Sequence, residues 1–209
     1  MKKFITVVPL QVKGQLRSYR YHAVGNGRLQ MEEETSFPIL TAVSGYLSPG
    51  EASQMIALMP DSEDGQRNLD VLREELQALC AKRGYEVPEL VVVPLKGGDD
   101  VAAHVDTFQK LIDRVEDHDE LFACITYGTK PLSQAVLMAV QYAYRVKHNA
   151  SITCIVYGSI DRTRGDAPET WTGFVYDETA LIQLDEIARM LAERGVMNPQ
   201  ATIRRILSL

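Results

Sequence analysis

The residue types with the clearest chemical use lie together in one segment, LFACITYGTKPL. An apolar, strand-like run ends there in a polar turn, and Pro131 is typical of the first turn of a helix. A helix that begins at this turn offers unpaired backbone N–H groups and the positive end of its dipole to an anion. Gly128 lets a ligand approach the backbone closely, while Thr126, Thr129 and Lys130 supply two hydroxyls and a cation. The combination fits recognition of phosphate or ribose.

Two other strand ends carry candidate contacts. The first strand runs into Leu10 and Gln11, and in a parallel sheet both are expected beside the turn just described, where Gln11 would read a base edge or a ribose. The segment IVYGS places Tyr157 and Gly158 at a third strand end. Each feature also has a plainer interpretation: a helix-capping threonine at the turn, a solvated loop glutamine, and a glycine that only permits a turn.

Metal and common hydrolase chemistry find little support in the sequence. The chain has four histidines without metal-ligand spacing, His22, His104, His118 and His148. The acidic run 116–120 is typical of a solvated loop, with a magnesium site as the alternative. Three cysteines without a CxxC pattern, Cys80, Cys124 and Cys154, argue against a disulfide framework or a zinc site. No Walker A, GxGxxG or GxSxG motif is present. We therefore expect neither a metal nor a cofactor.

Composition and charge limit the classes of partner. The 209 residues are 45% hydrophobic and 24% charged, which suits one sizeable globular domain. A net charge of -6 provides no global attraction to a nucleic-acid duplex, so a polyanionic ligand must be gripped locally. The apolar N-terminal run is too short for a membrane span and lacks a signal-peptide cleavage region, which predicts a cytoplasmic protein with no membrane partner.

The elements that must position these residues follow from the spacing of apolar residues. Apolar, β-branched runs predict buried strands at 4–10, 54–59, 90–95, 121–126 and 152–157. Helical spacing predicts helices around 37–47, 69–79, 101–115, 133–147 and 179–194. Strands that alternate with helices in this way predict an α/β fold with a mainly parallel sheet and helices on both faces.

Three segments depart from the alternation. Segments 17–24 and 28–33, joined by Gly25-Asn26-Gly27, predict a small hairpin inserted after the first strand. The loop 161–170, expected to be mobile, precedes 171–176, which alternates and is a candidate edge strand. After Gly195 a short helix from Asn198 carries Ile203, Ile206, Leu207 and Leu209. We expect a domain over 1–195 and a helical extension over 196–209, which would dock on its own domain, a dimer mate or an effector.

Taken together, these segments resemble the CARF family, the CRISPR-associated Rossmann-fold sensors, in the branch with a D-x-T-H-G or D-x-T-Y-G-T-K-P motif. The matching stretch here is CITYGTKP, and the first strand ITVVPL, the pair Tyr19 and Tyr21, the segment TSFP and the strand IVYG also look like that branch. Two positions depart from the pattern. Cys124 stands in place of the usual aspartate, and Tyr127 in place of the commoner histidine.

The resemblance implies a Rossmann-like homodimer that binds a ring of AMP units, cyclic tetra- or hexa-adenylate, as the sensor of type III CRISPR antiviral signalling. A two-fold dimer would present the same anion-binding turn twice to a symmetric ring. The implied ligand-binding residues include Tyr127, which could also stack on adenine. The full set is Leu10, Gln11, Thr126, Tyr127, Gly128, Thr129, Lys130, Tyr157 and Gly158.

Three functions stay open at this level. In a sensor, ring binding changes the dimer and an attached or partner effector responds. In a stand-alone ring nuclease, which needs no metal, a ribose 2′-OH attacks the neighbouring phosphodiester and leaves a 2′,3′-cyclic phosphate. Lys130 would then stabilise the developing charge, with Thr126 and Gln11 as positioning residues. The third function, a ligand-responsive transcription regulator, is disfavoured because the segment 198–209 is too short for a helix-turn-helix.

Overall fold

The computed structural model describes residues 1–163, 165 and 167–208, and strands alternate with helices over residues 39–161. The strands are β1 (Lys2–Val7), β2 (Tyr21–Val24), β3 (Ser53–Pro60), β4 (Glu89–Leu95), β5 (Glu120–Cys124), β6 (Ser151–Asp161) and β7 (Thr172–Asp177). The helices are α1 (Ile39–Tyr46), α2 (Glu63–Arg83), α3 (Val101–Ile112), α4 (Lys130–Val146), α5 (Thr179–Glu193) and α6 (Pro199–Leu207). Short 3-10 turns occupy Gly27–Leu29 and Pro168–Thr170.

The described strands form one seven-stranded sheet in the order β2-β7-β6-β5-β1-β3-β4. Strands β6, β5, β1, β3 and β4 are mutually parallel, and β7 runs antiparallel to β6. The chain therefore has the predicted α/β architecture, a mostly parallel sheet consistent with a Rossmann-like fold. The strand order reverses direction between β1 and β5, and open sheets of this kind bind ligands at the carboxyl ends of the strands beside that reversal.

Two apolar cores lie on opposite faces of the sheet, which explains why the central strands are apolar on both sides. In β1, Phe4 packs into the core covered by α1 and α2. The next residue, Ile5, packs into the core covered by α3, α4 and α5. Both side chains are at most 1% exposed. Burying each of these side chains stabilises the fold by about 1.5–3 kcal/mol. Because helices cover both faces of the sheet, β1 has no side that faces solvent.

Three helices begin at the carboxyl edge of the sheet because each directly follows a parallel strand. Ser62 caps α2 by accepting a hydrogen bond from the Gly65 N–H at 2.9 Å. Asp100 caps α3 through the Ala103 N–H at 2.8 Å. Thr129 takes the same position at α4. The N-termini of α2, α3 and α4 thus lie near the ends of β3, β4 and β5, and their positive dipole ends lie at the same edge of the sheet.

The predicted hairpin after the first strand is wrong. Strand β2 pairs in parallel with β7, far along the chain, and the second predicted arm contains the 3-10 turn Gly27–Leu29 instead of a strand. The two sides of the excursion meet through an isolated antiparallel bridge between Tyr19 and Thr35 and through the Gln30 side chain, which accepts a hydrogen bond from the Ala23 N–H at 3.0 Å. The Asn26 side chain accepts a hydrogen bond from the Arg28 N–H at 3.1 Å, so it caps this turn and does not form a hairpin corner.

The prediction of an edge strand at 171–176 is also wrong. Strand β7 lies between β2 and β6 and is therefore not an edge. Strand β6 extends to Asp161, so the predicted loop is shorter, and Arg164 and Asp166 of that loop lie outside the described residues. Helix α6 contacts α5, as one of the predicted docking sites requires. Leu209, predicted to belong to its apolar face, lies outside the described residues.

Candidate functional site

Thr126 ties the turn after β5 to the neighbouring strand β6. Its Oγ1 accepts a hydrogen bond from the Gly158 N–H at 2.7 Å and lies 3.1 Å from the Cys124 Sγ. The Ile125 N–H adds a bond to the Val156 carbonyl at 3.0 Å. Burial raises the pKa of the Cys124 thiol, so this position carries no charge at neutral pH. Cys124 therefore places a neutral, buried group next to Thr126.

Tyr127 anchors the same turn to the segment that precedes α1. Its hydroxyl donates a hydrogen bond to the Ser36 carbonyl at 2.6 Å, and its ring packs edge-on against Phe37 with centroids 6.3 Å apart. Burial raises the pKa of Tyr127 far above its usual value, so the hydroxyl remains a donor. The contacts with Ser36 and Phe37 hold the side chain of Tyr127 in place. Its remaining exposed surface lines the cavities described below.

Gly128, Thr129 and Lys130 carry the chain from the turn into α4. Gly128 has a positive φ of 96°, and a Cβ there would lie 3.0 Å from the Leu132 Cδ2. Thr129 donates a hydrogen bond to the Asp99 Oδ1 at 2.9 Å, and its Oγ1 accepts a longer one from the Leu132 N–H at 3.4 Å. Lys130 is exposed and makes no ion pair with any described residue. Its ammonium is therefore available to an anion.

Gln11 presents an acceptor without a donor. The buried Asn68 amide holds its backbone by donating to the carbonyls of Pro9 and Gln11, at 2.8 and 2.9 Å. The Gln11 Oε1 is itself buried and has no hydrogen-bond partner among the described residues. A buried acceptor left without a partner costs about 1–3 kcal/mol, and such groups are uncommon in native folds. This atom is therefore the clearest sign of a ligand position at the edge of the sheet.

A polar groove of about 470 Å³ runs from this glutamine toward β6 and β7. The Arg162 guanidinium stacks on the Trp171 ring at 4.5 Å, and Arg17 makes no ion pair with any described residue. Aromatic faces and guanidinium groups together suit stacked bases and phosphates. The main lining residues of this polar groove are Gln11, Arg17, Tyr19, Thr126, Tyr127, Gly158, Arg162 and Trp171.

An apolar cavity of about 480 Å³ lies on the other side of the turn, toward β3 and β4. Gly128 and Thr129 form the wall nearest the turn, and Asp99 and His104 come from the start of α3 and the loop before it. The aliphatic part of the lining comes from Val7, Val8, Leu10, Leu95, Ala103 and Leu132. The turn therefore separates two cavities of similar volume and different polarity.

Most of the residues predicted from sequence meet at this place. Leu10, Gln11, Thr126, Tyr127 and Gly128 line a shared depression between the polar groove and the apolar cavity. Thr129 and Lys130 continue the turn into α4, and Gly158 joins the polar groove.

Tyr157 does not join them. Its ring lies beside Tyr176, with centroids 6.3 Å apart, while Gly158 faces Pro38 and Thr126. Successive strand residues point to opposite faces, so Tyr157 lies on the other side of the sheet from the groove. Its role in binding stays a prediction.

Several residues of the site were not predicted. Arg17, Tyr19, Arg162 and Trp171 line the polar groove, and Asp99 and His104 line the apolar cavity. A usable signal existed for the first two, because the stretch RSYRY alternates basic and aromatic residues. The others reach the site only through the pairing of β6 with β7 and through the path of the β4–α3 loop.

Two further findings concern metals and membranes. Among the residues described, no three histidine, cysteine, aspartate or glutamate side chains come together in a way that could hold a metal ion. Within the same residues, no helix has the length and apolar character needed to cross a membrane.

Comparison with known proteins adds no support to the resemblance to the CARF family, which rests on the motif residues alone. No protein-family model matches the chain, and no curated protein matches it significantly.

Proposed function

We propose that this protein binds a cyclic oligoadenylate, tetra- or hexa-adenylate, across a homodimer at the carboxyl edge of its sheet. The observation that carries the proposal is the Oε1 of Gln11 beside Thr126 and Tyr127, which is buried and has no hydrogen-bond partner among the described residues. A ribose hydroxyl or an adenine amino group would supply the missing donor. Because Asn68 fixes the backbone of Gln11, the acceptor is positioned before any ligand arrives.

The turn into α4 supplies the phosphate contacts. Lys130 is the first residue of α4, so its backbone N–H has no acceptor within the helix. The same residue adds an ammonium that makes no ion pair with the residues described, and the seventeen-residue helix adds the positive end of its dipole. A phosphate placed here meets the positively polarised helix start and the Lys130 ammonium, and these act against the carboxylate of Asp99, which accepts a hydrogen bond from Thr129.

The polar groove supports the nucleotide identity of the ligand. The planar faces of Tyr19 and Trp171 and the guanidinium of Arg162 offer surfaces on which a base or sugar can lie. Arg17 lies in the same groove without an ion-pair partner among described residues, which leaves it available for a second phosphate. Repeated phosphates and bases are the chemistry of an oligonucleotide rather than of a single small anion.

A second copy of the chain would complete the site. A ring of identical nucleotides has rotational symmetry, and a two-fold dimer presents two identical turns to it. Leu10 and Val12 lie at this edge with 57% and 48% of their surface exposed, and in this proposal they form part of the surface that the second copy covers. In this proposal the ring is the messenger of type III CRISPR antiviral signalling, and the dimer transmits its binding to an effector.

The test is titration of the purified protein with cyclic tetra- and hexa-adenylate in a calorimeter. Lys130→Ala removes a charge-assisted contact and should weaken binding about tenfold to a hundredfold. Gln11→Leu should weaken it about threefold to tenfold. The matched control is Lys147→Ala, which removes a lysine at the opposite end of α4 and should bind like the wild type. Failure of both rings to bind the wild-type protein would refute the proposal.

The same samples separate sensing from cleavage. Chromatography after a long incubation should return the intact ring with the dimer if the protein is a sensor. Recovery of linear products with a 2′,3′-cyclic phosphate, lost in Lys130→Ala, would overturn the sensor and establish ring cleavage. In that reaction the attacking 2′-OH gives up its proton, and the departing 5′-oxygen gains one, so no metal or cofactor is required.

A further inference from the structure

Asp99 places a carboxylate beside the turn into α4, where the proposed function expects a phosphate. Its Oδ1 accepts a hydrogen bond from the Thr129 hydroxyl at 2.9 Å, and Thr129 is the residue that caps α4. The start of a helix attracts anions because its free N–H groups and its dipole are positively polarised. The carboxylate therefore takes a position that also suits a phosphate oxygen, and it belongs to the chain itself.

The cap of α4 is weaker than the caps of the two neighbouring helices. The Thr129 Oγ1 accepts from the Leu132 N–H at 3.4 Å, whereas the corresponding bonds of α2 and α3 measure 2.9 and 2.8 Å. A hydrogen bond of the greater length contributes less. The first turn of α4 therefore keeps more capacity for a further acceptor than the first turns of α2 and α3.

His104 offers the Asp99 carboxylate a second partner. The imidazole Nε2 lies 3.2 Å from the same Oδ1, yet it makes no hydrogen bond to any described residue. The distance is that of a hydrogen bond, so the alignment is what fails. The imidazole is 17% exposed, and a largely buried nitrogen without a partner is unfavourable. A rotation of the carboxylate away from Thr129 would supply that partner.

The loop before α3 allows the carboxylate to move. The Asp99 side chain is 61% exposed, so few neighbouring atoms restrain it. Two glycines precede it, Gly97 and Gly98, and a Cβ built on either would have no neighbour within 4 Å. Gly98 has a φ of 109°, a conformation that side chains disfavour. Asp100 is held as the cap of α3, so the movement is confined to the residues before it.

We propose that Asp99 is an internal competitor of the phosphate at this turn, and that a bound phosphate displaces its carboxylate from Thr129 to His104. Two negative charges at one helix start repel each other, so occupation of the turn drives the carboxylate away. The displacement also gives the imidazole nitrogen an acceptor. Asp99 thus lowers the affinity of the turn for anions, and His104 recovers part of that loss. This inference rests on the proposed function, because it concerns the turn assigned to the phosphate.

The experiment titrates the full chain with inorganic phosphate and follows the amide chemical shifts of residues 128–130. Asp99→Asn keeps an oxygen that accepts from Thr129 and removes the charge, so it should bind phosphate about threefold to tenfold more tightly. The gain should shrink in about 0.5 M salt, because salt screens exposed charges. The matched control is Asp113→Asn, which makes the same change in net charge at the other end of α3 and should bind like the wild type.

The displacement toward His104 has a readout of its own. Saturation of the wild type with phosphate should shift the ¹⁵N resonance of the His104 Nε2, and the shift should be smaller in Asp99→Asn. His104→Phe should weaken phosphate binding about twofold to fivefold, but it should have little effect when it is combined with Asp99→Asn.

Equal phosphate affinity in the wild type and Asp99→Asn would overturn the competition, as would the absence of phosphate binding in both. An unchanged His104 resonance at saturation would overturn the displacement. If the cyclic rings fail to bind but phosphate gives these responses, the proposed function fails and the competition stands. If the rings bind and Asp99→Asn behaves like the wild type toward phosphate, the proposed function stands and the competition fails.

Discussion

Removal of the Thr126 hydroxyl should loosen the turn from β6. In Thr126→Val the side chain keeps its shape, but the Gly158 N–H, which now donates to the Thr126 Oγ1 at 2.7 Å, loses its acceptor. The contact with the Cys124 Sγ at 3.1 Å is lost as well. A part-buried donor left without a partner costs about 1–3 kcal/mol. We therefore expect the free energy of unfolding to fall by about 2 kcal/mol.

The measurement is equilibrium unfolding in urea, followed by circular dichroism. With a denaturant slope of about 3 kcal/mol/M, a loss of about 2 kcal/mol moves the midpoint down by roughly 0.7 M. Thr126→Ser retains the hydroxyl and should recover most of that difference. A midpoint for Thr126→Val equal to that of the wild type would refute the reasoning, because it would mean that the hydroxyl does not hold the turn.

Two further changes test the packing and the charges around the site. In Gly158→Ala the new Cβ would lie 2.4 Å from the Pro38 Cγ, so we expect the free energy of unfolding in urea to fall by about 1–3 kcal/mol. The control is Gly27→Ala, whose new Cβ has no neighbour within 4 Å and should leave the free energy of unfolding unchanged. A hydrogen bond from Lys82 lowers the pKa of Glu33 from 4.5 to about 2. This carboxylate therefore stabilises the fold above pH 4.5 and loses that effect as the pH falls toward 2. We expect Glu33→Gln to lower the free energy of unfolding by about 1 kcal/mol at pH 7, after allowance for solvent screening, with a smaller difference at pH 3.5. A pH-independent difference would contradict that account.

The central part of the fold was predictable because its signals are local. Apolar runs too short for helices, separated by helical spacing, predict buried parallel strands, and β1, β3, β4 and β5 lie where they were expected. Pro131 and Thr129 predict the start of α4 for the same reason, since a proline and a hydroxyl at a helix start act within one turn of chain. The strand-to-helix turn was therefore recognisable from residues that lie side by side in the sequence.

The hairpin prediction was wrong because the turn preference of three neighbouring residues is weaker than the pairing of β2 with a distant strand. The segment Gly25-Asn26-Gly27 favours a tight turn, but Tyr21–Val24 finds a parallel partner in β7. Tyr21 is 2% exposed in that arrangement, and burial of such a ring stabilises the fold more than a turn preference does. Pairing across about 150 residues depends on which surface is available, and no short segment encodes it.

The sequence by itself determined the alternation of strands and helices, the position of the turn at 126–131 and the residue types on it. Only the tertiary structure decided what surrounds that turn. It left the Gln11 Oε1 without a donor from the part of the chain that the structure describes, placed Arg162 and Trp171 on one side of the turn, and brought His104 to the other. The physical reason is that turns and caps depend on neighbours within a few residues. Cavities and unsatisfied atoms depend instead on how distant elements pack.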